Sequence, residues 1–280
     1  MVYYAMPTNM MTLASRHYEN FPVGSLFVRK RFREAIHLIY AFARTADDLA
    51  DEGTMTTAER MAQLDAMQAA LHAAVQGDTS DPYFTKLAAA IKRHDLAVKP
   101  FDVLISAFRQ DAGNPIYSTF DDVLGYCKMS ANPIGKLMLQ LFECANITTI
   151  RFSDHICTAL QLTNFWQDIS VDTRRNRFYI PLSDLEECKV KFDDLHTLEN
   201  TKNVRVLMKV QVKRARRSYL DGKALFGIIS RGFRFELRLI WHGGMRMLEK
   251  IEKLNFDTRT VRPTLNAWDK FVVFIRASFD

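Results

Sequence analysis

The chain alternates between long runs in which apolar residues recur every three or four positions and short breaks rich in Gly, Pro, Asp and Thr. This spacing places the apolar side chains on one face of a helix, and the breaks carry residues that start and stop helices. Strand-like alternation is scarce, so the pattern predicts an all-α fold. Helices are expected at residues 31–52, 56–76, 82–96, 100–111, 199–229, 232–255 and 263–278, with a further helix interrupted at Asn132 and Pro133.

The pattern also limits the organisation of the chain. No repeat with the period of a helical solenoid recurs, and 280 residues suit one large helical domain or two small ones, of which one large domain is favoured. We therefore predict a loosely ordered lead-in over residues 1–16 and a single helical domain over residues 17–280. The apolar runs are short and interrupted by charge, so no transmembrane span is predicted.

The N-terminal sequence and the spacing of the cysteines predict the cellular compartment. The N-terminus lacks a charged segment followed by an apolar core, so we expect no signal peptide. The four cysteines, Cys127, Cys144, Cys157 and Cys188, show no CxxC spacing. They are expected to be reduced core thiols in a cytoplasmic protein.

The formal net charge of +6 is unevenly placed, because basic residues concentrate at 209–217 and 231–238. The favoured interpretation of these runs is a solvated helix face. The next is a peripheral attraction to anionic lipid at the inner membrane surface. No nucleic-acid partner is expected, since aromatic residues are not interleaved with the basic ones in a recognisable module.

A first candidate site lies near the end of the run from Ile36 to Glu52. At about 100° per residue, one sector of this helix holds five polar residues, namely Tyr40, Arg44, Asp47, Asp48 and Asp51. Carboxylates four residues apart repel each other unless cations neutralise them, and oxygen ligands suit Mg²⁺. The pattern favours a metal–diphosphate site, and a solvated helix end is the alternative.

A second polar row strengthens the metal interpretation. Four polar residues recur at spacings of three, four and four, namely Gln161, Asn164, Asp168 and Asp172, with mostly apolar residues between them. This spacing places them on a single helical face. Two helices with acids at i and i+4 are predicted to be the facing walls of one cavity in which several Mg²⁺ ions clamp a diphosphate.

These motifs carry a resemblance to a known family. The run Tyr40–Arg44 leading into Asp47–Asp51, the run Asn164–Asp168 with Asp172, and the run Arg177–Pro181 are similar to the squalene/phytoene synthase family of head-to-head prenyltransferases. Their order and spacing match from His17 to Arg262. The segment His17–Pro22 and the Asn-Phe-Trp-Gln-Asp form of the second motif most resemble the bacterial hydroxysqualene synthase branch of the hopanoid pathway.

The resemblance implies a class I isoprenoid synthase helical bundle with a central cavity and an isoprenoid diphosphate substrate. It implies two or three Mg²⁺ ions held by Asp47, Asp51, Asn164, Asp168 and Asp172. It assigns substrate binding to His17, Asn20, Tyr40, Arg44 and Gln167, and catalytic roles to Gln161, Tyr126, Arg177 and Tyr179. A core tyrosine with a satisfied hydroxyl remains the alternative for Tyr126.

The sequence departs from the family pattern at several positions. Gln167 stands where many squalene and phytoene synthases have an arginine, and Tyr18 and Asn20 replace the small hydroxyl residues frequent in that segment. No Gly-rich dinucleotide fingerprint is present, so NADPH is not expected, although reductase-type squalene synthases also lack one. Residues 173–181 concentrate cations beyond Asp172, as a basic lid over a diphosphate requires.

The expected reaction is that of the hydroxysqualene branch, in which presqualene diphosphate and water give hydroxysqualene and diphosphate. The alternative within the family is a presqualene diphosphate, squalene or phytoene-type synthase that condenses two prenyl diphosphates. The alternative from another class is a non-catalytic helical scaffold or assembly partner. Intact acids at all motif positions argue against the scaffold.

Overall fold

The computed structural model describes residues 28–196 and 199–280, and no strand occurs in these two ranges. The predicted all-α fold is confirmed. The chain divides into two compact units, the first ending at Gly113 and the second running from Asn114 to Asp280. His17, Asn20 and the lead-in over residues 1–16 lie outside the described ranges, and the single domain over residues 17–280 stays a prediction.

The first unit contains four helices: α1 (Lys30–Asp51), α2 (Thr57–Gln76), α3 (Pro82–Arg93) and α4 (Lys99–Ala112). Their ends follow from local chemistry. Thr56 begins α2 by a reciprocal capping box with Glu59, and Gly77 ends it in a left-handed conformation (φ 87°). Phe42 of α1 packs edge-on against Phe101 of α4, with ring centroids 5.0 Å apart.

One predicted boundary in this unit is wrong. The helix expected at 82–96 ends at Arg93. Asp95 adopts a left-handed conformation (φ 50°), which a continuing right-handed helix does not permit. The apolar side chain of Leu96, which continues the helical spacing, is nevertheless buried.

The second unit contains the helices α5 (Phe120–Ser130), α6 (Asn132–Leu141), α7 (Ile147–Asp172), α8 (Leu182–Glu187), α9 (Lys202–Gly222), α10 (Leu225–Ile228), α11 (Arg231–Lys253) and α12 (Ala267–Phe279). The helix α7 is central, because α5, α6, α9 and α11 all pack against it. The predicted interruption is confirmed, since Ala131 separates α5 from α6. A buried hydrogen bond of 3.1 Å from the Thr158 hydroxyl to the Asn132 amide oxygen ties this break to α7.

The long helix expected at 199–229 is divided. It ends at Gly222, and the short α10 follows after Lys223 and Ala224. At Gly222 the backbone lies so close to Ile156 and the Phe152 carbonyl on α7 that a Cβ would collide with them. The turn after Gly222 lets the chain bury Leu225.

An ion pair with a buried carboxylate fixes the segment that follows α7. Asp184 on α8 is buried and accepts hydrogen bonds from Gln211 (2.6 Å) and Arg214 (3.0 Å) on α9. The Arg214 guanidinium also lies 4.2 Å from the centre of the Phe120 ring on α5. A carboxylate removed from water needs such multiple partners, so α5, α8 and α9 are held together at this point.

The four cysteines are free, but only Cys127 is buried. Burial raises the pKa of the Cys127 thiol to about 12, so it stays protonated. The expectation that all four are core thiols is therefore wrong for the partly exposed Cys144 and Cys188, whereas the thiol group of Cys157 is itself buried, which raises its pKa to about 12. No helix within the described ranges is long and apolar enough to cross a membrane.

Candidate functional site

The polar sector predicted on α1 is present. The helix buries its apolar residues Leu38, Ile39, Phe42 and Ala46. The five polar residues Tyr40, Arg44, Asp47, Asp48 and Asp51 are all partly exposed. The helical period thus separates a core face from a face that can bind ligand.

Arg44 provides the positive charge of this sector. Its guanidinium lies 3.1 Å from the Asp47 carboxylate, 2.6 Å from Asp48 and 3.4 Å from Glu52. Partial burial lowers the Arg44 pKa, but the three carboxylates together with Tyr40 raise it more, so the net shift is upward. The cation is therefore permanent and holds carboxylates of the last turns of α1 close together.

The donor set of α1 suits a hard cation. Carboxylate oxygens of Asp48, Asp51 and Glu52 all lie within 4.8 Å of one another. All three side chains are partly buried, and oxygen donors of this kind fit Mg²⁺. Asp48 and Glu52 were not assigned as ligands from the sequence, although their i, i+4 spacing could have indicated them. The metal roles of Asp47 and Asp51 stay predictions.

The polar row predicted on α7 is also present. The helix buries Leu162, Phe165, Trp166 and Ile169. The predicted residues Gln161, Asn164, Asp168 and Asp172 are all partly exposed. One face of α7 therefore packs into the unit while the other presents two carboxylates and two carboxamides.

Asp168 is paired with a distant arginine. The Arg262 Nε atom donates to Asp168 Oδ1 over 2.5 Å, and Nη2 donates to Oδ2 over 3.1 Å. This two-pronged contact raises the pKa of Arg262, while partial burial opposes the shift. Sequence reasoning raised Arg262 only as a substrate contact and did not predict its pairing with Asp168, because 94 residues separate the partners and no periodicity connects them.

Gln167 supports the same segment from inside the protein. Its side chain is fully buried, and its amide nitrogen donates to the Pro263 carbonyl over 2.8 Å. This bond fixes the chain next to Arg262. The predicted role of Gln167 in substrate binding stays a prediction.

The segment after α7 turns back towards it. A short 3-10 helix covers Thr173–Arg175, and Asn176 then adopts a left-handed conformation (φ 54°). The Arg177 amide donates to the Asp172 carbonyl over 2.9 Å. As a result Asp172, Arg177 and Tyr179 line one small cavity of about 20 Å³, enough for one water molecule.

Aromatic rings lie beside this cavity. The Tyr179 ring stacks on Phe165 of α7, with centroids 3.8 Å apart and an interplanar angle of 8°. The buried Tyr126 of α5 lies 5.7 Å from Tyr179 and 5.9 Å from both Phe165 and Tyr117. The Leu182 amide donates to the Tyr117 carbonyl over 2.9 Å, which holds the Arg177–Pro181 segment against these rings.

This aromatic cluster of Tyr117, Tyr126, Phe165 and Tyr179 was only half predicted. Tyr126 and Tyr179 were singled out, whereas Tyr117 lies in none of the motifs and Phe165 was read only as part of one. Aromatic faces stabilise nearby positive charge. The cavity that Asp172 and Arg177 line is also lined by the rings of Phe165 and Tyr179.

Comparisons with known proteins identify the same family that the order of the motifs resembles. The family model described as squalene/phytoene synthase matches residues 14–269. A hydroxysqualene synthase of Rhodopseudomonas palustris is 35% identical over 178 residues, which cover 63% of this chain and 60% of that protein. A phytoene synthase of Mycobacterium tuberculosis is 31% identical over 183 residues, covering 65% and 60% respectively. The chain thus matches about three-fifths of the length of these relatives.

A solved structure resembles the chain over a larger share. The crystal structure of squalene synthase HpnC from Alicyclobacillus acidocaldarius is 36% identical. It superposes with a TM-score of 0.81, covering 89% of this chain and 95% of that chain. Sequence and fold therefore point to the same group of proteins.

Proposed function

The chain belongs to the squalene/phytoene synthase family, and from this premise we propose that it is an enzyme of isoprenoid biosynthesis, namely a hydroxysqualene synthase. The proposed reaction ionises presqualene diphosphate, rearranges the cation and captures it with water. The products are hydroxysqualene and diphosphate. The α7 face carries this proposal, because Asn164, Asp168 and Asp172 lie on the helix that also carries the stacked ring of Phe165.

Mg²⁺ is the proposed cofactor. Asp47 and Asp51 on α1, and Asn164, Asp168 and Asp172 on α7, are the proposed ligands, with Asp48 and Glu52 available beside the first pair. The oxygen donors of both helices fit this hard cation. When bound, Mg²⁺ neutralises charge that develops on the leaving diphosphate.

The chain's own cations act on the same leaving group in this proposal. Arg44 lies among the α1 carboxylates, and Arg177 lines the cavity next to Asp172. Fixed positive charge near phosphate oxygens favours departure of the diphosphate more than it favours the bound substrate. His17, Asn20 and Tyr40 complete the proposed substrate contacts, and the first two lie outside the described ranges.

The aromatic cluster and two polar groups are proposed to determine the fate of the cation. The faces of Tyr126, Phe165 and Tyr179 would stabilise the positive carbon skeleton. Gln161 is partly exposed on the α7 face, so it and Tyr126 are the proposed groups that position the attacking water. Gln167 is a weaker choice, because its amide nitrogen already donates to the Pro263 carbonyl.

A second candidate is a synthase that condenses two prenyl diphosphates. The 31% identity to a phytoene synthase supports it, and it requires the same acids. The two candidates differ in what they consume and release. Only the first incorporates oxygen from water into its product.

The test uses purified protein with Mg²⁺ in ¹⁸O-labelled water, without NADPH. Presqualene diphosphate is supplied in one reaction, and farnesyl or geranylgeranyl diphosphate in the others. We expect an ¹⁸O-labelled C30 alcohol from presqualene diphosphate. A hydrocarbon product, or condensation of two prenyl diphosphates as the sole activity, would assign the chain to another branch of the family.

A further inference from the structure

The last helix of the chain carries apolar residues on its solvent side. Trp268, Phe271, Ile275 and Phe279 are 65%, 53%, 38% and 87% exposed. Their spacings of three, four and four place them in one stripe along α12, which we call the apolar stripe. The buried residues Asp269, Val273 and Ala277 lie on the opposite side, so the helix presents a second apolar face.

The charged groups of α12 do not cover this stripe. Asp269 is buried and accepts hydrogen bonds from Arg246 (2.8 Å) and Lys250 (2.5 Å) of α11. Asp280 pairs with Lys223 at 2.8 Å. The carboxylates that could repel an anionic surface are therefore held by cations of other elements.

The helix α11, which packs against α12, carries a row of arginines. Arg231, Arg234 and Arg238 recur at spacings of three and four on α11, in the same sector as Phe235. The Phe235 ring packs edge-on against Phe274 of α12, with centroids 5.8 Å apart. This contact places the sector of α11 that carries the arginine row next to α12.

The arginine row differs from the arginines of the other basic run, residues 209–217. On α9, Arg216 pairs with Glu252 and Arg217 with Asp221, at 2.8 and 2.9 Å. In contrast, none of the three α11 arginines forms an ion pair with a carboxylate of residues 28–196 or 199–280. Arg234 instead donates to the Ile229 carbonyl, and Arg238 lies over the Phe226 ring.

We infer that the apolar stripe of α12 and the arginine row of α11 form one surface that binds an anionic lipid bilayer. Exposed Trp and Phe side chains insert between headgroups, and arginines beside them attract anionic headgroups. A second copy of the chain suits the surface less well. A two-fold interface brings the same patch of each copy together, and two arginine rows would then repel.

Sedimentation of the purified chain with lipid vesicles tests this inference. We expect binding to vesicles of phosphatidylcholine and phosphatidylglycerol, little binding to phosphatidylcholine alone, and release by added salt. The triple variant Arg231→Gln, Arg234→Gln, Arg238→Gln should bind about 10²-fold more weakly. The matched control Lys209→Gln, Lys213→Gln, Arg217→Gln removes equal charge from exposed positions of α9 and should retain most binding.

The apolar stripe is tested separately. The variant Trp268→Ala, Phe271→Ala should bind about tenfold or more weakly, since two apolar side chains no longer leave water. The control Val206→Ala, Leu220→Ala removes two exposed apolar side chains from α9 and should bind normally. Phe279→Ala gives a second, milder variant at an 87% exposed position in case the first does not fold.

Fluorescence reports on the wild-type protein directly. Trp166 and Trp241 are buried, so Trp268 is the one exposed tryptophan of the three, all of which are described. Its emission should shift to shorter wavelength on addition of anionic vesicles and be quenched by brominated lipid. Absence of vesicle binding, or equal losses in the variants and their controls, would overturn the inference. The inference would also be overturned if the wild-type chain formed a dimer that the Trp268→Ala, Phe271→Ala variant did not form, while that variant still bound vesicles normally. None of these outcomes depends on which diphosphate the enzyme converts.

Discussion

The two acid-bearing helices obtain their positive charge in different ways. On α1, Arg44 contacts Asp47 and Asp48, three and four residues further along the same helix. On α7, Asp168 is paired with Arg262, which comes from a segment 94 residues later in the chain. The arginine–aspartate pair is thus formed within one helix in the first unit, and by a contact between segments distant in sequence in the second unit.

The difference shows which part of a site depends on the whole fold. The charges of α1 come together whenever that helix forms, because helix geometry fixes their spacing. The pair on α7 requires the chain near Pro263 to be in place, and the buried Gln167 bond to the Pro263 carbonyl provides that. Four predictions test this contrast, in order of expected effect.

The largest effect concerns the acids themselves. Asp51→Asn and Asp168→Asn should each lower turnover by about 10²-fold or more, the scale for losing one preorganised charge-stabilising group. Turnover at saturating Mg²⁺ is the measurement. Asp121→Asn, at an exposed acid of the first turn of α5, is the control and should remain active. Near-normal activity of either α1 or α7 variant would show that only one helix takes part.

The next effect concerns the support of the distant arginine. Gln167→Leu leaves the Pro263 carbonyl without its buried donor, so the free energy of unfolding should fall by about 1–3 kcal/mol. Urea denaturation measures it. Gln161→Leu, at a partly exposed position of the same helix, should leave stability nearly unchanged. Equal losses of unfolding free energy in both variants would mean that the hydrogen bond to the Pro263 carbonyl stabilises the protein no more than the Gln161 side chain does.

A smaller effect is expected for the local arginine. Arg44→Gln removes the cation among the α1 carboxylates, so their repulsion should lower the free energy of unfolding by about 1 kcal/mol without Mg²⁺. Saturating Mg²⁺ should recover that loss. Thermal unfolding with EDTA and with Mg²⁺ compares the two states. Arg93→Gln breaks an exposed pair with Glu34, and Mg²⁺ should not change its stability relative to the wild type.

The smallest effect concerns competition for Asp168. Arg262→Gln frees that carboxylate, so Mn²⁺, used as a probe for Mg²⁺, should bind up to about fivefold more tightly without substrate. Titration followed by electron paramagnetic resonance measures the affinity. Arg174→Gln, which removes an exposed cation from the same region, controls for net charge. An equal gain in both variants would mean that the Arg262 pair does not compete with metal.

Periodicity was sufficient to predict the all-α fold and the partly exposed faces of α1 and α7, because both depend on spacing within one helix. It was insufficient for Arg262 and Tyr117, which reach the candidate site through contacts between segments far apart in sequence. The predicted helix ends were wrong at two places. The backbone leaves the right-handed helical conformation at Asp95, and close packing against α7 ends the helix at Gly222.

The pairing of the buried Asp184 carboxylate with Arg214 has a consequence for the order of folding. Burial of the carboxylate without its partner would leave an uncompensated charge, so α8 cannot dock stably before α9 supplies Arg214 and Gln211. We infer that α8 and α9 open and close as one cooperative unit. Native-state hydrogen exchange should then give both helices the same opening free energy, whereas earlier exchange of α9 with α8 still protected would contradict this. The Arg177 segment, which leads directly into α8, would be released in the same event.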